Sequence, residues 1–470
     1  MHLPASLRKY SWLAAAGLGL ALRLFFVLHF PSEAGDTRMY EELARNWHDQ
    51  GVYGLLLEER LTPVDTRVPG YPAFLVAVSA VFGQSRLAVM LCQVLLDMLT
   101  CFLAASLAGR LASPASRKRV ATAALWLAAL CPFTANYTAV VLTEVLATFL
   151  TTLALLIFVI AYEGQDVFRA RIGKRSFRLG LWFVGGLVVG MGTLVRPETP
   201  LLVVAVTLAL WARWRKPADW AKLSRATLWM AGGVILVLLP WGVRNWTSLG
   251  RVQFLAPRYA EQPGEYVPRG FYAWTKTWLV RFRDVYLVVW KAGEERINME
   301  DLPPSAFDSG QERERVEALL GKYNEHTSLP PALDSEFARL ARERTDRHPL
   351  RTYLWIPLLR AGVIWFTPRV ELLPYSGHLW PPSHAWDEDP EDFLVTSGLG
   401  LLNLLYIAMA ITGVWRDRAG RGIGVLLCFL VLRTAFLTQI EAPEPRYTLV
   451  CYPAILALAS LAWDRFSRES

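Results

Sequence analysis

The chain has 470 residues, of which 53% are hydrophobic, 12% aromatic and only 19% charged, a balance that excludes an ordinary soluble domain. Its 19 tryptophans suit side chains that anchor at a membrane interface. The formal charge of +8 looks like a nucleic-acid signal, but the placement of the charges excludes that reading.

Runs of near-spanning length predict membrane helices at about 11–30, 84–109, 119–138, 140–162, 178–195, 199–213, 226–243, 395–415, 421–440 and 447–465. A bilayer core needs about 20 apolar residues per helix, and several of these runs are on the short side. The expected class is therefore an all-α polytopic membrane protein with about ten transmembrane helices. The first run is expected to remain in the protein, because Arg23 lies in its second half and no small-x-small cleavage site follows. Five cysteines lie within or beside apolar runs and form no CxxC pair, so disulfides and a cysteine-based zinc site are not expected.

Charge asymmetry sets the orientation. With a cytoplasmic N-terminus, the inward segments are 1–10, 110–119, 163–178, 213–225, 416–421 and 464–470. Together they carry 21 Lys and Arg against 6 Asp and Glu. This is the positive-inside pattern, and it places both termini in the cytoplasm. The basic balance is thus a topology signal, and no nucleic-acid partner is expected. The apolar stretch 350–368 would break the pattern if it spanned, so it reads as an interfacial helix on the outer leaflet.

Two outward segments remain, 31–71 and about 245–392. The second has helix-like patterning at 310–323 and 333–347, with Ser309 and Asp334 near the starts. It reads as a small helical extracytoplasmic region unable to build a large core alone. The domain reading is 1–244 for an N-terminal membrane module, 245–392 for the outer region and 393–470 for the last membrane helices. No internal repeat and no low-complexity tract is visible.

Polar residues gather at the outward ends of the helices. Asp36 opens the first loop, with Tyr40 one turn later, and Arg67 precedes 69-PGYPAF-74, which contains Tyr71. Glu144 sits in 137-YTAVVLTEVLATF-149, Arg196 and Glu198 flank Pro197, and Arg244 ends a span in 240-PWGVRNW-246. Glu444, Arg446 and Tyr447 lie in 441-EAPEPRYTLVCYP-453. Taken singly, an arginine at a helix end is an ordinary snorkelling anchor. A carboxylate within a span is harder to dismiss, since it costs ~2.5–3.5 kcal/mol at the bilayer centre. Collectively, arginines at the outer headgroup level suit a lipid phosphate or diphosphate held by a bidentate guanidinium fork. A carboxylate beside them can accept the proton of an attacking hydroxyl. Group transfer from a lipid-phosphate donor is the chemistry that such a set supports.

An ordered series of short matches resembles the GT-C glycosyltransferases of the ArnT-like and protein O-mannosyltransferase-like group, relatives of glycosyltransferase family 39. It runs from Arg23 through Gly35 and 36-DTRMY-40 to 67-RVPGYPAFL-75 and Glu144. It continues with 194-LVRPET-199, 239-LPWGVRNWTSLGRV-252 and 444-EPRYTLVCYPAIL-456. The resemblance implies a GT-C fold with outer-face interfacial helices. It implies a polyprenyl-phosphate-sugar donor, such as an undecaprenyl or dolichyl phosphate sugar, and inversion at the sugar carbon. It makes Asp36 the catalytic base or acceptor-positioning acid and Glu144 a second catalytic acid. Arg67 and Arg446 become the binders of the donor phosphate, with Arg244 assisting. Tyr40, Tyr71, Arg196, Glu198, Glu444 and Tyr447 are the candidate substrate-binding residues.

The chain departs from the family pattern in three places. Thr37 follows Asp36 where many relatives have a second acid, and Glu144 stands where Asp is more usual. Thr66 precedes Arg67 where some relatives have a metal-holding acid, which leaves Asp65 one residue further back. The outer histidines His326, His348, His378 and His384 have no metal-ligand spacing. No cofactor is therefore expected to be required, although the acids are compatible with a divalent cation. The acceptor would be a lipid, glycan or protein hydroxyl on the extracytoplasmic face of the bilayer. The alternatives are a transporter or flippase of lipid-linked sugars, against which the missing repeat and one-sided polar cluster speak, and an O-antigen ligase or polymerase. Glu41, Glu42 and Arg45 read as solvated residues of a short amphipathic helix.

Overall fold

Where apolar periodicity is unbroken the chain is helical, and polar or proline-bearing stretches mark the joins. A computed structural model describes residues 5–164, 167–172, 175–262, 264–416 and 422–464. They fall into two units: residues up to Ala260 with Pro368–Leu432 and the chain from Leu449 form the first, and Glu261–Thr367 with Arg433–Thr448 the second. The stretches 417–421 and 465–470, which carry part of the positive-inside pattern, lie outside the described residues.

The first unit begins with α1 (Ala5–His29) and α2 (Gly35–Gln50), then a hairpin of β1 (Gly54–Leu57) and β2 (Arg60–Pro63). Gly54 faces Pro63 and Leu57 faces Arg60, and Glu58 and Glu59 make the two-residue turn with φ of 47° and 64°. Next come α3 (Gly70–Phe82), α4 (Arg86–Leu111), α5 (Arg117–Ala129), α6 (Pro132–Asn136) and α7 (Glu144–Tyr162). A second hairpin, β3 (Val167–Ile172) and β4 (Arg175–Gly180), leads into α8 (Leu181–Thr193), α9 (Leu201–Arg213) and α10 (Trp220–Leu249). The second unit holds α11 (Arg269–Lys276), α12 (Phe282–Asp284), α13 (Gly310–His326), α14 (Pro331–Arg347) and α15 (Ile356–Phe366). The chain returns to the first unit with α16 (Pro382–Glu388) and α17 (Pro390–Arg416), crosses between units within α18 (Ile423–Leu437), and ends in α19 (Tyr452–Ser460).

The protein is an all-α, polytopic membrane protein. Each of the ten predicted runs contains helix, but the spans are not uniform. Among the described residues, six helical segments are long and apolar enough to cross a bilayer, and a seventh arises if α5 and the segment Pro132–Ala139, bent by 46°, count as one. The predicted spans at 178–195, 199–213 and 421–440 shrink to the 13, 13 and 15 residues of α8, α9 and α18. At 1.5 Å per residue such helices reach only about 20 Å, short of the ~30 Å hydrocarbon core. Glycine or proline stands before each of them, at Gly180, Pro200 and Gly422, while α9 ends on the polar Arg213 and Thr438 follows α18. A further apolar helix, α3, occupies residues not predicted to be membrane helix.

Small residues permit close packing inside the first unit. A Cβ added at Gly186 would lie 2.2 Å from the carbonyl oxygen of Met230, so α8 and α10 touch backbone to backbone. Arg23 is fully buried and ties α1 to α4 and the end of α5. Its Nε donates to Asp97 Oδ2 at 2.7 Å and its Nη1 to the Ala129 carbonyl at 2.7 Å.

The second unit corrects the expectation that the outer region builds no sizeable core. Phe271, Trp274, Trp278, Tyr323 and Phe337 are buried together, with aliphatic residues from α13 and α14 packed among them. Aromatic side chains bury large areas each, so a few short helices suffice. Helices stand at both predicted places, and Ser309 caps α13 by accepting from the Glu312 amide at 3.1 Å. Asp334 instead caps a neighbour, accepting from the amides of Gly270 and Phe271 at the start of α11.

Candidate active site

Local sequence explains where the acids stand. The chain leaves α1 through Pro31 and re-enters helix at Gly35, which puts Asp36 in the first turn of α2, where the helix dipole favours a carboxylate. Thr37 fixes that end: its hydroxyl accepts from the Ala34 amide at 3.2 Å and donates to the Val141 carbonyl at 3.1 Å. The predicted span 119–138 is broken by Pro132, which has no amide hydrogen to continue the helix of α5. The chain then runs through a short turn to Thr143, so Glu144 opens α7 in the same favourable position.

Arg67 meets Asp36 directly, its Nη2 donating to Oδ1 at 2.8 Å. The pair is only partly covered, with 22% of the Arg67 side chain and 30% of the Asp36 side chain exposed. The loop that carries Arg67 is held firmly. Tyr53 Oη donates to the Arg67 carbonyl at 2.9 Å, and Arg244 Nη1 donates to the Val64 carbonyl at 2.8 Å. Arg244 also donates to the Tyr53 carbonyl and lies over the rings of Tyr53 and Trp241. Behind Arg67, buried Asp65 is paired with Arg251 at 2.6 Å.

A second pair is more enclosed. Glu144 is 1% exposed, and its Oε1 accepts from Arg196 Nη2 at 2.7 Å. Arg196 Nε donates to Thr143 Oγ1 at 3.1 Å, and its Nη1 stands 3.4 Å from Glu198 Oε1. The two pairs belong to one neighbourhood because the Arg67 loop abuts the Arg196 turn. Gly70 N donates to the Leu194 carbonyl at 2.5 Å, and a Cβ at Gly70 would come within 2.4 Å of that oxygen, so only glycine fits. Tyr40 lies within electrostatic reach of all four charged groups. Burial pushes its phenol up to about 12, with Arg67 and Arg196 opposing and Asp36 and Glu144 adding to the rise. Tyr40 therefore stays neutral at physiological pH and can hydrogen-bond a substrate without acting as a base.

Of the residues read from the sequence, Asp36, Tyr40, Arg67, Tyr71, Glu144, Arg196, Glu198 and Arg244 thus lie in the first unit. Glu444, Arg446 and Tyr447 lie in the second, where Glu444 Oε1 accepts from Tyr447 Oη at 2.6 Å and from Arg446 Nη2 at 3.2 Å. The reading of Glu41 and Glu42 as merely solvated is corrected. Glu41 binds Arg86 through both oxygens at 2.6 and 2.7 Å, and Glu42 accepts from the Leu56 amide at 2.7 Å. Sequence reasoning also passed over Gln93 and Asp97. Two polar residues four apart within the apolar α4 are a signal in themselves, because each must find a partner away from water. Among the described residues, no three His, Cys, Asp or Glu side chains gather as a metal site.

The family model for dolichyl-phosphate-mannose-protein mannosyltransferases matches residues 66–243, less than half of the chain. The match bears out the resemblance to glycosyltransferases over a stretch that contains Arg67, Glu144, Arg196 and Glu198. Among solved structures, the chain is similar to the oligosaccharyltransferase of Archaeoglobus fulgidus in complex with zinc and sulfate. The identity is 13% and the TM-score 0.49, covering 96% of this chain and 48% of that one. ArnT from Cupriavidus metallidurans, bound to undecaprenyl phosphate, is 14% identical with a TM-score of 0.40, covering 96% of this chain and 77% of that one. The chain thus spans about half the length of the archaeal oligosaccharyltransferase. No curated protein matches the sequence.

Proposed function

We propose that the chain is an integral-membrane glycosyltransferase that moves a sugar from a polyprenyl-phosphate-linked donor to an acceptor hydroxyl on the extracytoplasmic face, with inversion. The observation that carries this reading is the partly exposed Asp36–Arg67 pair at the start of α2, beside the buried Glu144–Arg196 pair. The match of residues 66–243 to mannosyltransferases that use a dolichyl-phosphate sugar supports it.

In this reading the Asp36 carboxylate takes the proton of the acceptor hydroxyl as its oxygen bonds to the anomeric carbon. The bond from that carbon to the phosphate oxygen breaks on the opposite side, and the lipid phosphate leaves with the electron pair. Arg67 neutralises the charge growing on the phosphate while its bond to Asp36 orients that carboxylate. Glu144 anchors Arg196 beside the donor, and Tyr40 offers a neutral hydroxyl. Arg244, through its bonds to Val64 and Tyr53, serves to hold the Arg67 loop. Fixing donor and acceptor in line supplies much of the acceleration.

Sealed vesicles carrying the protein, with donor and acceptor both on the side of Asp36, test the proposal. Sugar transfer without passage of either substrate across the bilayer is expected. Movement of the donor to the far side with no product would instead identify a transporter. Mass spectrometry of surface glycoconjugates from cells with and without the gene would identify the acceptor.

A further inference from the structure

Gln93 lies about two turns into α4 and is fully buried. A primary amide in a membrane helix is costly unless its donors and acceptor are matched. Gln93 matches them: Nε2 donates to the carbonyls of Thr138 at 3.2 Å and Val140 at 2.8 Å, and Oε1 accepts from Tyr71 Oη at 2.8 Å. Both partners of this amide lead to the proposed chemistry.

The stretch 138–141 is not part of a regular sheet and needs support from both sides. One edge is bonded to Gln93. Along the other, the Ser32 amide donates to the Ala139 carbonyl at 3.0 Å, and Thr37, the neighbour of Asp36, donates its hydroxyl to the Val141 carbonyl. Three residues beyond Val141 the chain reaches Glu144. Tyr71, the other partner, meets the ring of Tyr40 edge-on at 5.2 Å, one helical turn after Asp36.

We propose that Gln93 is a positioning residue that clamps the 138–141 stretch and Tyr71 together and so sets Asp36 and Glu144 in register with one another. The inference rests on the reading of those two acids as the transfer site. Gln93 acts through backbone carbonyls and a tyrosine, so its removal shifts the geometry of the reacting groups without deleting any of them. Misplacement of such groups by about 1 Å costs on the order of 10²-fold in rate.

Gln93→Met keeps the volume and the apolar surroundings while deleting all three hydrogen bonds. In the purified full-length protein, hydrogen exchange at the Ser32 amide is expected to quicken by about tenfold or more. The kcat for sugar transfer is expected to fall by roughly 10–100-fold, with KM for the donor within about threefold of wild type. Wild-type kcat together with wild-type exchange at Ser32 would overturn the proposal. So would a lowered melting temperature with unchanged kcat in the folded fraction, which is the mark of a merely structural residue. If Gln93→Met does not fold, Tyr71→Phe, which deletes one bond, decides by the same two readouts with a smaller effect. If the wild-type protein transfers no sugar, the reading of the site fails, and exchange at Ser32 alone decides whether Gln93 holds the segment.

Discussion

In the second unit Arg344 is completely buried, and all three guanidinium nitrogens are engaged by the protein. Nε donates to Thr277 Oγ1 at 2.8 Å, Nη1 to the Ala306 carbonyl at 2.9 Å and to Glu312, and Nη2 to the Ser305 carbonyl at 2.9 Å. In the first unit Arg67 holds Asp36, yet about a fifth of its side chain and nearly a third of that of Asp36 stay open. Both are arginine–carboxylate assemblies, and only their surroundings separate them. A saturated, buried arginine is a fold element. Arg67 also donates from Nη1 to the Thr66 carbonyl at 3.1 Å, and what sets its pair with Asp36 apart is partial exposure, which keeps it within reach of an anion.

Substitutions can break this contrast, and the largest effect is expected at Arg344. Arg344→Met leaves Glu312 and Asp308 buried without their central cation. The cost is about 3–5 kcal/mol of stability, read as a lower melting temperature of the solubilised protein, with the rate per folded molecule unchanged. Arg67→Ala should do the reverse. Transfer falls by about 10²–10³, the cost of one lost electrostatic stabiliser, while the melting temperature barely moves.

The buried assembly around Arg344 also responds to acid. Burial raises the Asp308 carboxyl, but the bond from Arg351 and the charges of Arg344 and Arg347 outweigh it, and the net shift is downward. The folded value lies below the unfolded one, so this contribution to stability is complete above the unfolded value of about 3.9. It is lost as pH falls through the folded value. Melting curves from pH 7 to pH 3 should therefore show a loss at the acid end that Asp308→Asn diminishes. The smallest effect is expected at Glu41, whose pairing with Arg86 is substantially solvent-exposed. Glu41→Gln should change stability by less than about 1 kcal/mol in the same melting assay.

Much of this organisation was legible in the sequence, for physical reasons. Hydropathy marks helices wherever it is continuous, so α1, α4, α7, α10 and α17 appear close to their predicted places. Asp36 and Arg67 could be singled out because charge beside an apolar run is rare. What hydropathy does not report is where a helix stops. The glycine and proline starts of α8, α9 and α18 and the break before Glu144 are local junctions, which an averaged apolar signal passes over. The contact between the Gly70 loop and Leu194 depends on residues more than a hundred positions apart, and no local pattern encodes it. Gln93 stands as a polar residue in an apolar span, but its partners, Tyr71, Thr138 and Val140, are 22 to 47 positions away and no local pattern points to them.

The central claim is that Asp36 removes the acceptor proton. It is tested most directly by the initial rate of sugar transfer from a polyprenyl-phosphate donor by purified Asp36→Asn, measured beside wild type at equal folded concentration. The account predicts a loss of about 10²–10⁴-fold with the melting temperature and membrane insertion unchanged. A wild-type rate from that variant would contradict it.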